Sequence, residues 1–247
     1  MDAALYHLHH VKDQEDLQFW SSLVEKVHGP VLELGCGTGR LFLPILEVGK
    51  NAVGLDIDHD ALIFLKNSLA DQYQDRNKVF QASLDEFHLG IHFSLIFLAC
   101  NTLSSLSKST RIKGYERIYA HLGSNGVFAA SFPNPIYLRS LPEQSEIEIE
   151  ELGIHPESGN PVQVSSRWQR LENKVTFTWH YDQLFPDGKV IRETVINEHQ
   201  LTSLDEYLAE LQEKKLFPIE IYGDYDRSEY KRNSRYVILI ARKKARF

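Results

Sequence analysis

Two rhythms of apolar and polar residues alternate along the first half of the chain. Over residues 13–27, Leu17, Trp20, Leu23, Val24 and Val27 recur three and four apart. That stripe predicts an amphipathic helix, ended by Gly29-Pro30. Val31-Leu32-Glu33-Leu34 then reads as a short buried strand running straight into a glycine loop. A helix over 38–48, stopped by Gly49, and a strand over 51–56 follow. Asp58 suits the N-cap of another helix carrying Leu62, Leu65 and Leu69 on one side, because its carboxylate can accept from the first free N–H groups. Strands over 78–82, 92–99 and 126–132, with a helix over 109–122, continue the alternation. The pattern implies an α/β fold: a parallel sheet covered on both faces and wound into a Rossmann-like layout by right-handed crossovers.

Beyond Pro142 the rhythm changes. Residues 145–201 lack a helical period and hold β-rich runs at 162–168, 175–184 and 189–197. In the second run Val175, Phe177, Trp179 and Tyr181 alternate with Thr176, Thr178 and His180, the period of a strand with one buried face. This places Trp179 in the core of the unit. Pro186-Asp187-Gly188 supplies a turn, since proline presets φ and glycine permits positive φ. The expected organisation is a core of residues 1–144 and 202–247 with an antiparallel β meander, 145–201, inserted as a lid or as a surface for pairing two copies. The core resumes with a capping box, Ser203 to Glu206, before Leu204, Tyr207, Leu208 and Leu211 on one helical face. Strands over 218–222 and 236–241 close the chain as an antiparallel hairpin.

Composition narrows the partners. At 247 residues, 43% hydrophobic and 25% charged, the chain has enough apolar material for a core without a structural staple. A net charge of −7 disfavours a nucleic-acid or anionic-membrane binder, and the basic cluster Arg242-Lys243-Lys244-Ala245-Arg246 reads as a solvated chain end. Cys36 and Cys100 are the two cysteines, too few for a disulfide framework. Residues 1–11 carry three histidines but no apolar signal-peptide region, and no apolar run approaches the roughly 20 residues of a membrane span. The expected setting is the reducing cytoplasm.

The chemistry concentrates after the first strand. Gly35-Cys36-Gly37-Thr38-Gly39 lets the backbone turn sharply and lets a ligand approach free N–H groups without a Cβ in the way. The dinucleotide fingerprint G-x-G-x-x-G would need glycine where Arg40 stands, and no Gly-Lys-Ser/Thr follows as in a P-loop. Asp56 ends the next strand, 17 positions beyond Gly39, where a carboxylate can accept from both hydroxyls of a ribose. Asp56-Ile57-Asp58-His59-Asp60 has a metal-like look, but ribose binding, helix capping and the helix dipole account for its three carboxylates, so no metal is expected.

The run Val31 to Leu41 resembles motif I of the class I S-adenosylmethionine (SAM) dependent methyltransferases, and Val53 to Asp58 resembles their motif II. The resemblance covers about residues 29–135 and 202–242. It implies a seven-stranded sheet with a reversed last strand and, within the superfamily, is most similar to small-molecule enzymes that include the sugar N-methyltransferases. By that resemblance Glu33, Gly35, Cys36, Gly37 and Gly39 face the methionine part of the cofactor, Asp56 holds the ribose and Ile57 packs on the adenine. Ser83 and Leu84 stand where relatives commonly have Gly-Asp-Met, so the carboxylate for the adenine amino group is either missing or supplied by Asp85. Cys100 and Asn101 fall in motif IV, beside the methyl group. Asn134-Pro135 follows the fifth strand, not the fourth, and lacks the remainder of the motif that nucleic-acid amino methyltransferases carry.

The implied reaction is an in-line displacement for which positioning alone supplies about 7–11 kcal/mol. Tyr6 lies where small-molecule relatives place an aromatic near the sulfonium. A base is required only for an acceptor that arrives protonated, and Tyr6 or His121 are the candidates; Ser104-Ser105-Leu106 fills the stretch where amino-sugar enzymes carry a histidine. Two other readings use the same residues: a module that binds the cofactor without turnover, and methylation of protein or RNA.

Overall fold

The computed structural model describes residues 2–69 and 78–243. Seven strands form one sheet: β1 Val31–Leu34, β2 Ala52–Asp56, β3 Lys78–Gln81, β4 Phe93–Leu98, β5 Leu122–Pro133, β10 Leu216–Tyr222 and β11 Tyr236–Lys243. Their order is β10-β11-β5-β4-β1-β2-β3, and β11 runs antiparallel to both of its neighbours while the β4-β1-β2-β3 pairs are parallel. The α/β class and the reversed last strand therefore stand as expected. The other strands, β6 Glu148–Ile154, β7 Pro161–Arg170, β8 Lys174–Leu184 and β9 Val190–Gln200, make a separate antiparallel sheet in sequential order.

Strand alternation splits the core between the two faces of the large sheet. Val31, Leu95 and Phe97 pack with Trp20 of α2 (Leu17–Glu25), Phe42 of α3 (Phe42–Glu47) and Leu65 of α4 (His59–Ser68). Leu32, Leu34, Ile96 and Leu98 pack on the opposite face with Tyr115 of α6 (Lys108–His121) and Tyr207 of α8 (Leu204–Glu213). Two shorter helices, α5 Thr102–Ser105 and α7 Pro135–Ser140, follow β4 and β5. Asp58 caps α4 through Asp60 and Ala61 N–H, and the Ser203–Glu206 capping box opens α8. Asn134 is buried. It caps α7 and donates to the carbonyls of Arg232 and Ser234 at 3.0 and 2.8 Å, a structural tie.

Several elements depart from the pattern. Helix α1, Ala3–His10, had no apolar stripe to announce it; Asp2 caps it, and it buries only Ala4 and Leu5. Helix α3 begins at Phe42 because residues 37–41 are spent on the turn. The acidic edge strand β6 was hidden by its glutamates, which stay exposed or half-buried. The basic end of the chain is not wholly a solvated run: Arg242 and Lys243 complete β11, and Lys243 donates to the Leu122 carbonyl at 3.0 Å, while 244–246 lie outside the described residues. No described helix is long and apolar enough to cross a membrane.

Helices α6 and α8 are joined by a buried fork. Arg111 Nε and its terminal nitrogen donate to Glu210 at 2.9 and 2.8 Å, and the second terminal nitrogen donates to the Leu106 carbonyl at 2.9 Å. Removing one partner leaves an uncompensated buried charge. Arg111→Ala should cost about 3–5 kcal/mol in urea denaturation, whereas the paired change Arg111→Met with Glu210→Leu should recover most of the loss.

Candidate active site

Strand order reverses between β1 and β4, where chains leaving neighbouring strands diverge and open a crevice at their carboxyl ends. A cavity of about 490 Å³ lies there, within the range of small-molecule sites. Its floor is the glycine loop. Gly35 N donates to the Leu55 carbonyl at 2.6 Å and Cys36 N to the same oxygen at 3.1 Å, which ties the loop to the end of β2. Gly35 sits at φ +74°, with a Cβ there only 3.3 Å from Thr102 Oγ1. Gly39, at φ +93°, would drive a Cβ to 2.4 Å from Leu65 Cδ1.

Asp56 completes the floor. Its Oδ2 accepts from Gly37 N at 2.6 Å and its Oδ1 from Asp58 N at 2.9 Å, so the carboxylate is fixed by backbone while keeping lone pairs toward the cavity. Glu33 lies behind it, buried, with Oε2 lacking a hydrogen-bond partner among the described residues. Burial pushes its carboxyl well above the usual range; the Arg40 charge opposes this, and Asp16 and Asp56 add to it. Burial likewise raises the Cys36 thiol.

Cys100 and Asn101 follow β4 in the left-handed region, at φ +56° and +65°. Such conformations cost on the order of 1–3 kcal/mol each in non-glycine residues. Asn101, on the cavity wall, has a buried Oδ1 without a partner among the described residues, a second unmatched acceptor. Arg40 forks onto Asp16 at 2.6 and 2.7 Å and reaches Cys100 Sγ at 2.8 Å. Although burial works against its charge, the Asp16 hydrogen bond carries Arg40 above its ordinary pKa. Cys100 is exposed as a residue, but its Sγ lies against Arg40, and burial pushes the thiol up to about 12.

Of the residues singled out in the sequence, Tyr6, Glu33, Gly35, Cys36, Gly37, Asp56, Ile57, Ser83, Leu84, Cys100 and Asn101 converge on this cavity. Gly39 does not line it and shapes the loop instead. Asp85 turns away: it accepts from Ser83 Oγ at 2.5 Å, leaving Ala82-Ser83-Leu84 as the wall. His121 is also outside. Its Nδ1 lies 2.7 Å from the Arg117 carbonyl and Nε2 accepts from Leu89 N at 3.0 Å, so neither nitrogen is free to act as a base.

The remaining wall escaped the sequence reading. Helix α1 brings His10 beside Tyr6, ring centroids 4.1 Å apart, and the four-stranded sheet brings Trp179, Asn197 and His199. Trp179 both packs on the small cluster around Tyr181 and faces the cavity, so its period-two pattern marked a buried face but not what covers it. The four-residue spacing of Tyr6 and His10 was the available signal for α1. Burial raises Tyr6 to about 12 and lowers His10 to about 4, which keeps both uncharged at neutral pH.

Residues 32–128 match the family model described as a methyltransferase domain. A protein of Geobacillus sp. (strain WCH70), provisionally named a methyltransferase, is 21% identical over 222 residues, covering 86% of this chain and 84% of its own. Among solved structures, an S-adenosylmethionine-dependent methyltransferase from Clostridium acetobutylicum ATCC 824 is similar over 97% of both chains, with a TM-score of 0.80 at 15% identity. The sugar N-methyltransferase KedS8 from Streptoalloteichus sp ATCC 53650 matches 97% of this chain and 92% of its own, with a TM-score of 0.77 at 18% identity. Residues 32–128 thus form a methyltransferase domain, and the whole chain shares the fold of these S-adenosylmethionine (SAM) dependent methyltransferases.

The cavity fits that cofactor on observations of its own. An unpartnered, buried Glu33 oxygen suits a cationic ligand, Asp56 offers an oriented carboxylate to a diol, and the Gly35–Gly37 floor admits a close approach. Asp56→Ala should therefore weaken S-adenosylhomocysteine by about 10–100-fold in calorimetry, given some 1.5–3 kcal/mol for hydrogen bonds to a charged group, with circular dichroism unchanged.

Glu33 gives a stability signature. A carboxyl whose folded pKa is raised binds its proton more tightly than in the unfolded chain. Its contribution is fully present below the ordinary carboxylate pKa and is lost as pH rises toward the folded value. The ligand-free Glu33→Gln variant should accordingly melt above wild type at pH 8 and approach it near pH 4, while binding S-adenosylhomocysteine more weakly.

Proposed function

We propose that this SAM-dependent methyltransferase acts on a small-molecule acceptor, admitted between the glycine-loop floor and a roof built from α1 and the inserted strands of 145–201. The carrying observation is the enclosure: Tyr6, His10, Trp179, Asn197 and His199 stand over the same cavity that Asp56 and Glu33 floor. A roof of this kind favours an acceptor of a few rings over a protein segment or an RNA duplex. The likeness to a sugar N-methyltransferase supports the same direction.

In this reading Glu33 receives the cofactor's ammonium, Asp56 its ribose diol and Ile57, 69% exposed at the cavity edge, its base. The Ala82-Ser83-Leu84 wall borders the base without a carboxylate of its own. When bound, the cofactor supplies a methyl group on a positively charged sulfur. Tyr6 presents a half-buried, uncharged ring, and Asn101 an acceptor dipole, to that charge. The protein's task is to hold the acceptor in line and to exclude water. The outer face of the four-stranded sheet, with Ile149, Leu152 and Ile196 exposed, serves as the pairing surface of a homodimer.

A panel of amino sugars, small amines and alcohols, run beside purified RNA and protein, tests the assignment through release of S-adenosylhomocysteine. Turnover with at least one small acceptor, weakened at limiting SAM in Asp56→Ala, is the expected result. Turnover confined to the RNA or protein arm would overturn it, and tight cofactor binding with no turnover in any arm would leave a binding module in its place.

A further inference from the structure

His199 sits near the end of β9, two residues past the run that strand patterning marks, and is 7% exposed. The inserted sheet carries it to the cavity wall. Its Nδ1 lies 2.9 Å from Ser104 Oγ on α5, and Ser104 Oγ lies 2.8 Å from the carbonyl of Asn101, the N-cap of that short helix. A hydroxyl has one proton to give. Donated to the Asn101 carbonyl, it leaves Ser104 Oγ able only to accept from the ring. Nδ1 then carries the imidazole proton, and Nε2 keeps its lone pair. Nε2 makes no hydrogen bond among the described residues.

We propose that His199 Nε2 is the proton acceptor of the methyl transfer, and that Ser104 is a positioning residue that fixes its tautomer. The inference rests on the small-acceptor reading above and adds a residue to it. In the step, a lone pair on the acceptor's nitrogen or oxygen forms the bond to the methyl carbon as the carbon–sulfur bond breaks. That bond's electron pair stays on sulfur, and the acceptor's N–H or O–H proton passes to Nε2. The net charge of the cavity is unchanged, because one positive charge leaves sulfur as one arrives on the imidazole. This offsets the desolvation that otherwise disfavours a buried imidazolium. The groups set against the ring are uncharged: Ser104 and Asn101 from α5 and its cap, Val175 and Phe177 from β8, and Asn197 on its own strand. Burial alone lowers its pKa, to about 4, so the lone pair is available throughout the neutral range.

Long-range proton–nitrogen correlation spectra of the full chain, labelled with nitrogen-15 in its histidines and assigned through the backbone, read the tautomer directly. Between pH 6 and 8 His199 should show a bare Nε2 and a protonated Nδ1, and Ser104→Ala should shift population toward the Nε2–H form. A protonated Nε2 in wild type, or an imidazolium at pH 7, overturns the proposal. With any acceptor from the panel, His199→Gln should lower kcat by about 10²-fold or more while S-adenosylhomocysteine affinity stays within about twofold. Unchanged kcat overturns the assignment of the base. The spectra do not depend on the acceptor, so failure of the small-acceptor reading and failure of this one are told apart.

Discussion

The glycine loop is held in place by one backbone carbonyl and one carboxylate. The Leu55 oxygen takes both Gly35 N and Cys36 N, and Asp56 takes Gly37 N, so three consecutive amides are bound by two adjacent residues of the neighbouring strand. Parallel pairing of β1 with β2 puts Leu34 opposite Leu55, and the loop can close only in that register. A slip of one residue would turn the Asp56 carboxylate to the other face of the sheet. Everything else at the site is built out from this clamp: Glu33 one strand position behind it, Ile57 just beyond it, and Thr102 against Gly35 where β4 delivers α5.

The electrostatics of the cavity are arranged around a cation. Glu33 is buried with an oxygen unmet among the described residues, while Arg40, whose positive charge acts on it, is already committed to Asp16, Asp13 and Cys100. Tyr6, His10 and His199 face the same space uncharged. A cation entering this cavity favours ionisation of the buried Glu33 carboxyl and meets few groups that repel it. The strained backbone at Cys100 and Asn101 belongs to the same arrangement, since Asn101 lines the cavity and carries an amide oxygen unpaired among the described residues.

Helix α1 joins the two sheets. Asp2 accepts from His155 at 2.9 Å, its amide donates to Glu193 at 2.8 Å, His9 reaches Tyr181 and Glu150, and Lys12 pairs with Glu151. Leu5 packs with Val162, Val164 and Tyr181. On the other side His7 contacts Thr38 in the glycine loop at 2.9 Å. The helix thus belongs to the inserted sheet by most of its bonds and to the cofactor floor by one.

The amino-acid sequence by itself determined the alternation of strands and helices, the caps of α4 and α8, the turn at Gly188 and the pairing of a glycine loop with Asp56. Each of these is written in residues a few positions apart, where periodicity, capping and positive φ act locally. It misplaced His121 because a helix end says nothing about which wall the ring faces, and it offered Asp85 where Ser83 had already bound that carboxylate. It passed over α1 because the sheet that covers that helix is remote in the chain, and over β6 because exposed glutamates mask a strand paired only with its sequence neighbour. Only the tertiary structure brought Asn197 and His199 over a floor made more than 140 residues earlier. Contacts of that range are fixed by how the sheets pack, and short-range pattern carries no record of it.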